Sequence, residues 1–215
     1  LNKEDFEALP AFDPAKDFGS SNNCNININC SQGSNIQEEK RGIARILLVL
    51  EEGMGWCSGT LINNTAEDFK PLFLTAYHCQ DGYTPLFDFW RFDFNYEYDN
   101  CTGGLDEPPA DALTGCEFSK GRQSSDYMLL EIQQSVPYSY RPYWNGWNRA
   151  DRVASSLIMA HHPRGDIKKI TRFDDDLRIR SNPEELDWTN NVTTPANHHW
   201  EAPHTEGMFE VGSSG

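Results

Sequence analysis

Apolar and polar positions alternate along this chain in short runs, and from Gly42 to about Gln133 no stretch of ten residues or more keeps a 3.6-residue period. Ile43 to Leu50, Trp56 to Ile62, Leu72 to Ala76 and Met128 to Ile132 are largely apolar segments separated by turn and loop signals, which predicts strands. The alternation is clearest from Phe87 to Tyr98. There Trp90, Phe92, Phe94, Tyr96 and Tyr98 share one face while Arg91, Asp93, Asn95 and Glu97 share the other, predicting one long half-buried strand. Val153 to Ala160 and Ile167 to Phe173 predict two more strands, and Cys101 to Asp111 is a loop of Gly, Pro and Asp. Many short strands with regular turn signals make the chain all-β, a sandwich or a barrel.

The same pattern divides the chain. Residues 1–40 are polar and carry Cys24-Asn25-Ile26-Asn27-Ile28-Asn29-Cys30, whose Asn/Ile alternation predicts an extended arm that a cysteine at each end would pin to the body. Residues 41–135 hold most of the predicted strands and form a first β unit. Residues 136–215 comprise an aromatic connector, Val136 to Trp147, and a second β unit with few strands. That unit is expected to be incomplete in the chain as given, and the chain as given to be inactive.

Charge and cysteine content narrow the function. Lys plus Arg number 18 against 33 Asp plus Glu, a net charge of −15, which argues against nucleic acid or an anionic membrane surface as partner. No apolar run approaches the roughly 18 residues of a membrane span. The six cysteines form no Cys-x-x-Cys pair, which disfavours a zinc ribbon or redox motif; even in number and scattered, they fit disulfides and a secreted protein. No cofactor or metal is expected. His161-His162 and His198-His199 invite a metal reading, but adjacent strand residues point to opposite faces, so structural roles are favoured.

Three short motifs carry chemistry. Phe73-Leu74-Thr75-Ala76-Tyr77-His78-Cys79 reads as the end of a buried strand followed by a histidine beside a cysteine that Cys57, on the neighbouring strand, could bond. A histidine mounted in this way suits a general base. Asp126, in Ser124-Ser125-Asp126-Tyr127-Met128-Leu129-Leu130, stands just before an apolar strand, where a carboxylate can sit partly buried at a barrel rim and orient an imidazole. In Gly212-Ser213-Ser214-Gly215 the glycines permit the backbone angles of an exposed nucleophile turn, with Ser214 as nucleophile and the Gly212 and Ser214 N–H groups as oxyanion donors. Each motif alone has a commoner structural explanation. The order His, Asp, Ser is that of the chymotrypsin type and not of the subtilisin or α/β-hydrolase types.

These motifs resemble the three signatures of trypsin-like serine peptidases. Cys24 to Cys30, Ser58-Gly59-Thr60-Leu61-Ile62-Asn63-Asn64-Thr65, Trp144-Asn145-Gly146-Trp147 and His161-His162-Pro163 resemble the bacterial lysyl endopeptidase branch, with similarity running from about Gly19 to Gly215. The resemblance implies two antiparallel β-barrels of chymotrypsin type, the second incomplete, with a cleft between them. It implies a secreted endopeptidase acting on protein or peptide substrates through an acyl-enzyme, and the chain is expected to be monomeric. The rival reading is a catalytically silent trypsin-like module that binds protein. The resemblance further implies Cys57–Cys79 and Cys30–Cys101 disulfides, a partner for Cys24 beyond Gly215, and a substrate contact at Trp188. Cys116 has no counterpart and could pair with Cys24 or with a residue outside the sequence. Lysine preference in that branch comes from an acidic residue after the nucleophile, in a segment this sequence does not include. Animal trypsins carry an aspartate where Ser213 stands, so a zymogen here would need another route of activation, such as removal of residues upstream of about Gly19.

Overall fold

The computed structural model describes residues 17–150, 154–174, 180–181, 183–188, 192–198, 200–201 and 206–214. Its regular elements are strands and short 3-10 turns, with no α-helix among the described residues. A seven-stranded antiparallel sheet is built from β2 (Ile43–Leu50), β3 (Gly53–Leu61), β4 (Leu72–Ala76), β5 (Arg91–Phe94), β6 (Asp111–Thr114), β7 (Cys116–Arg122) and β8 (Tyr127–Ile132), in the order β6-β5-β2-β3-β4-β8-β7. β6 and β7 are the two edges of that order, yet only Gly115 separates them in the chain. The sheet must therefore curl far enough to bring one end of each edge strand together at that residue. Gly115 makes the corner, with φ +89°, its N–H donating to Trp90 O and its own carbonyl accepting from Gln133 N–H.

The rolled sheet encloses Ala44, Ile46, Leu48 and Leu50 from β2, Phe73 from β4, Trp90 beside β5, Phe92 within it, Leu113, Cys116, and Met128, Leu130 and Ile132 from β8. Phe73 and Phe92 meet edge to face at 5.0 Å. Two disulfides tie the body, Cys57–Cys79 across β3 and the segment after β4, and Cys30–Cys101 between the arm and the loop before β6. Cys24 and Cys116 are both free, which closes one of the alternatives left open by the sequence. Cys116 lies inside the barrel, where burial pushes its thiol up to about 12, while Cys24 is exposed on the arm.

The second unit contains β9 (Leu157–His161) and β10 (Lys169–Phe173), and the arm adds β1 (Ile26–Asn27) to the other side of β10. The arm is thus a strand of this sheet as well as an extension held by Cys30. Two short ladders complete the described part, β11 (Arg180–Ser181) with β14 (Trp200–Glu201) and β12 (Leu186–Trp188) with β13 (Val192–Thr194).

Buried charge joins the two units. The Arg45 guanidinium lies 4.2 Å from the Trp56 ring centroid and 3.8 Å from that of Tyr96, pairs with Asp93 and Asp17, and donates to Gly165 O beside the second unit's first strand. Glu97 sits between Lys40 and Lys168; burial pushes its carboxyl up, but the two ammonium groups outweigh this and hold it below the usual range.

The long strand expected over Phe87 to Tyr98 is shorter. Phe87–Phe89 is a 3-10 turn, β5 spans only Arg91–Phe94, and Asn95 turns the chain away with φ +53°. Trp90, Phe92, Phe94 and Tyr96 are nonetheless all buried, and so is Asp93 on the face expected to be wet, because Arg45 neutralises it.

Candidate active site

Register brings the first two candidate residues together. β4 and β8 are antiparallel neighbours paired from Leu72↔Glu131 to Ala76↔Tyr127, so the residues just after β4 face the residue just before β8. Those residues are His78, in the 3-10 turn Tyr77–Cys79, and Asp126. The Asp126 carboxylate grips the histidine twice. Oδ1 accepts the His78 backbone N–H at 2.8 Å, and Oδ2 lies 2.6 Å from Nδ1. The Asp126 carbonyl also accepts the Tyr77 N–H at 3.1 Å. Asp126 reaches this position with φ +50°, a left-handed conformation that Asp tolerates better than most residues. The side chain of His78 is about half exposed (51%) and that of Asp126 less so (27%), so the imidazole presents its far nitrogen to solvent while its near one is held.

Ser58 on β3 connects this histidine to the serine turn. Its carbonyl accepts the Thr75 hydroxyl from β4 at 2.8 Å, its N–H donates to the Ser214 carbonyl at 2.6 Å, and its hydroxyl donates to the Gly212 carbonyl at 2.9 Å while accepting the His162 N–H at 2.8 Å. The neighbour of Ser58 is Cys57, bonded to Cys79 next to His78. One buried residue therefore holds both the histidine-bearing strand and the turn from Val211 to Ser214. The sequence displayed Ser58 within a family-like motif but gave it no task. Its four partners come from β4, from the residue after β9 and from the serine turn, and nothing in the local pattern marks them.

The turn itself depends on Gly212, which adopts φ +88° with its α-carbon pressed on the Pro163–Gly165 turn. A Cβ there would come within 3.2 Å of Arg164 N, Gly165 N and His162 O. The Ser213 N–H donates to Glu210 O at 3.0 Å, whereas the N–H groups of Gly212 and Ser214 donate to no acceptor among the described residues. Two unspent N–H groups flanking a spent one are the equipment of an anion-binding turn. Among the described residues no hydrogen bond joins the Ser214 hydroxyl to His78, a contact often loose before substrate arrives. Gly215 and His199 lie outside the described residues; Trp188 ends β12, opposite Val192, and only its backbone is described.

His161 and His162 point to opposite sides, and among the described residues no group of three or more His, Cys, Asp or Glu is placed to hold an ion. His162 stacks on Tyr96, and its Nδ1 lies 2.9 Å from the Asp166 carbonyl. Burial pushes the His161 pKa down to about 4, helped by Lys169, and that of His162 well down, helped by Lys168. An unfolded chain protonates both near 6.5. Between about pH 6.5 and pH 4 the unfolded state thus binds protons that the folded state refuses, and stability falls as pH drops through that window. For His161 alone the loss is about 3 kcal/mol by pH 4. Chemical denaturation at pH 7 and pH 4 should show this slope, and His161→Gln should flatten it.

The family model for the lysyl endopeptidase C-terminal domain matches residues 18–215. The chain belongs to that family. A curated relative, the lysyl endopeptidase of Pseudomonas aeruginosa, is 25% identical over 164 residues, covering 72% of this chain; the chain spans about a third (35%) of that relative's length. Among solved structures, the Rv3671c protease of M. tuberculosis in its active form superposes with a TM-score of 0.50 at 13% identity, covering 96% of this chain and 72% of that one. The thermostable serine protease AL20 from an extremophilic microorganism gives 0.48 at 13% identity, over 82% and 83% of the two chains. The fold of this family member is all-β and of the chymotrypsin type, with antiparallel sheets.

Proposed function

We propose that this chain carries the catalytic residues of a secreted serine endopeptidase. The observation that carries the reading is the double grip of Asp126 on His78, which holds the imidazole with a proton on Nδ1 and its other nitrogen free to accept one. Ser214 Oγ attacks the scissile carbonyl, and His78 takes the hydroxyl proton. The oxyanion that forms is held by the Gly212 and Ser214 N–H groups, a role supported by their lack of acceptors among the described residues. The proton passes from His78 to the leaving amine, and water then hydrolyses the acyl-enzyme by the same path in reverse. Asp126 stabilises the imidazolium formed at each step. Two disulfides support an extracellular site of action. Family membership supports a preference for lysine before the scissile bond, and the resemblance supports Trp188 as a substrate contact. The protein acts as a monomer on peptide or protein chains, without a cofactor.

The test is a set of peptides with Lys, Arg or Phe before the scissile bond, incubated with the full-length protein. Cleavage after Lys is expected. Equal cleavage after Phe overturns the specificity, and no cleavage by a folded full-length protein favours the silent binding module.

A further inference from the structure

We propose that His161 is a positioning residue for the serine turn, fixing Ser213 through a buried hydrogen-bond relay and thereby aiming the Ser214 N–H and hydroxyl. The inference rests on the reading of Ser214 as nucleophile. Ser213 is nearly buried (9% exposed), and its Oγ accepts the Glu210 N–H at 3.0 Å while lying 2.8 Å from His161 Nδ1. His161 ends β9 and is 1% exposed. Its Nε2 lies 2.9 Å from the Thr171 hydroxyl on β10, and that hydroxyl donates to the Met208 carbonyl at 3.3 Å.

These contacts allow one direction of donation. Thr171 spends its proton on Met208 and must accept from His161 Nε2–H. His161 Nδ1 is then bare and accepts the Ser213 hydroxyl proton, which leaves the Ser213 oxygen to accept from Glu210. Every member of the relay is satisfied, and one imidazole tautomer is specified. The ring is further held by Phe209, 5.1 Å away. Burial keeps it neutral, so the relay persists at any pH well above 4.

The consequence falls on the oxyanion donors. The N–H of Ser214 belongs to the peptide group that Ser213 begins, so the plane of that peptide turns with Ser213. With the Ser213 backbone N–H on Glu210 O, its side chain on His161 and the Ser214 carbonyl on Ser58 N–H, the peptide that carries the Ser214 N–H is restrained from both sides. A serine at this position has no charge to pair, and the neutral histidine supplies the anchor that a carboxylate would draw from an ammonium group.

The experiment compares full-length protein carrying His161→Leu, Ser213→Ala, both together, Thr171→Val or His161→Asn, reading kcat, KM and the affinity for a peptide boronic acid that mimics the tetrahedral intermediate. His161→Leu and Ser213→Ala are each expected to lower kcat and boronate affinity by roughly 10- to 100-fold with KM changed by less than about 3-fold. The double variant should be no worse than the worse single one, since both break one relay. Thr171→Val should give a smaller loss of the same kind. His161→Asn, whose amide oxygen falls near the place of Nδ1, should recover most of the rate. Unchanged kcat in the folded single variants, or multiplying losses in the double, overturns the proposal. If His161→Leu does not fold, Ser213→Ala and Thr171→Val decide by the same criteria. Ser214→Ala is the control: activity retained there removes the nucleophile assignment itself, whereas loss there with unaffected relay variants removes only the role of His161.

Discussion

Ser214→Ala in the full-length protein is expected to lower kcat by about a million-fold while KM stays within a few-fold. The size follows from what remains. Removing the hydroxyl deletes the proposed nucleophile, and a triad lacking one member retains only the acceleration that binding and the oxyanion donors give to attack by water. The fold should be untouched, because the contact that docks this residue is made by its backbone: the Ser214 carbonyl accepts the Ser58 N–H, and no bond of its hydroxyl is needed to hold the turn. Thermal unfolding should match that of the parent protein. Activity falling less than about a hundred-fold would mean that another group performs the attack.

Asp126→Asn is expected to cost about ten-thousand-fold in kcat near neutral pH. Asparagine fits the left-handed backbone angle at position 126 as well as aspartate does, and its carbonyl oxygen can still accept the His78 N–H, so His78 stays where it is. The amide nitrogen then faces Nδ1 and donates to it. This forces the imidazole proton onto Nε2, the nitrogen that accepts from Ser214 in the proposed mechanism, and removes the negative charge that would stabilise the imidazolium. Steady-state rates together with unfolding curves separate this from damage to the fold: the rate should collapse and the stability should change little.

Much of the first unit was readable in sequence because its central strands bury one face. Ile43–Leu50 and Leu72–Ala76 have the expected bounds, since alternation and the residues that end it coincide there. The edge strands Asp111–Thr114 and Cys116–Arg122 had no such signal. Glu117, Phe118, Ser119 and Lys120 are all exposed, so nothing forces a two-residue period, and only pairing with β5 and β8 makes these segments strands. Buried charge misled in the opposite direction, Asp93 reading as a solvent residue until Arg45 is seen beside it. At the site, His78, Asp126 and Ser214 were legible as types in an order. The links of Ser58 to Gly212 and of His161 to Ser213 join residues more than fifty positions apart that carry ordinary hydroxyl and imidazole groups, and only the folded arrangement shows them.

The central claim, that Ser214 is a nucleophile activated by His78, is tested most directly by covalent labelling. The full-length protein treated with diisopropyl fluorophosphate should gain one phosphoryl adduct, which peptide mass mapping should locate on Ser214, and Ser214→Ala should gain none. A folded, peptide-cleaving protein that stays unlabelled, or is labelled on another residue, would contradict it.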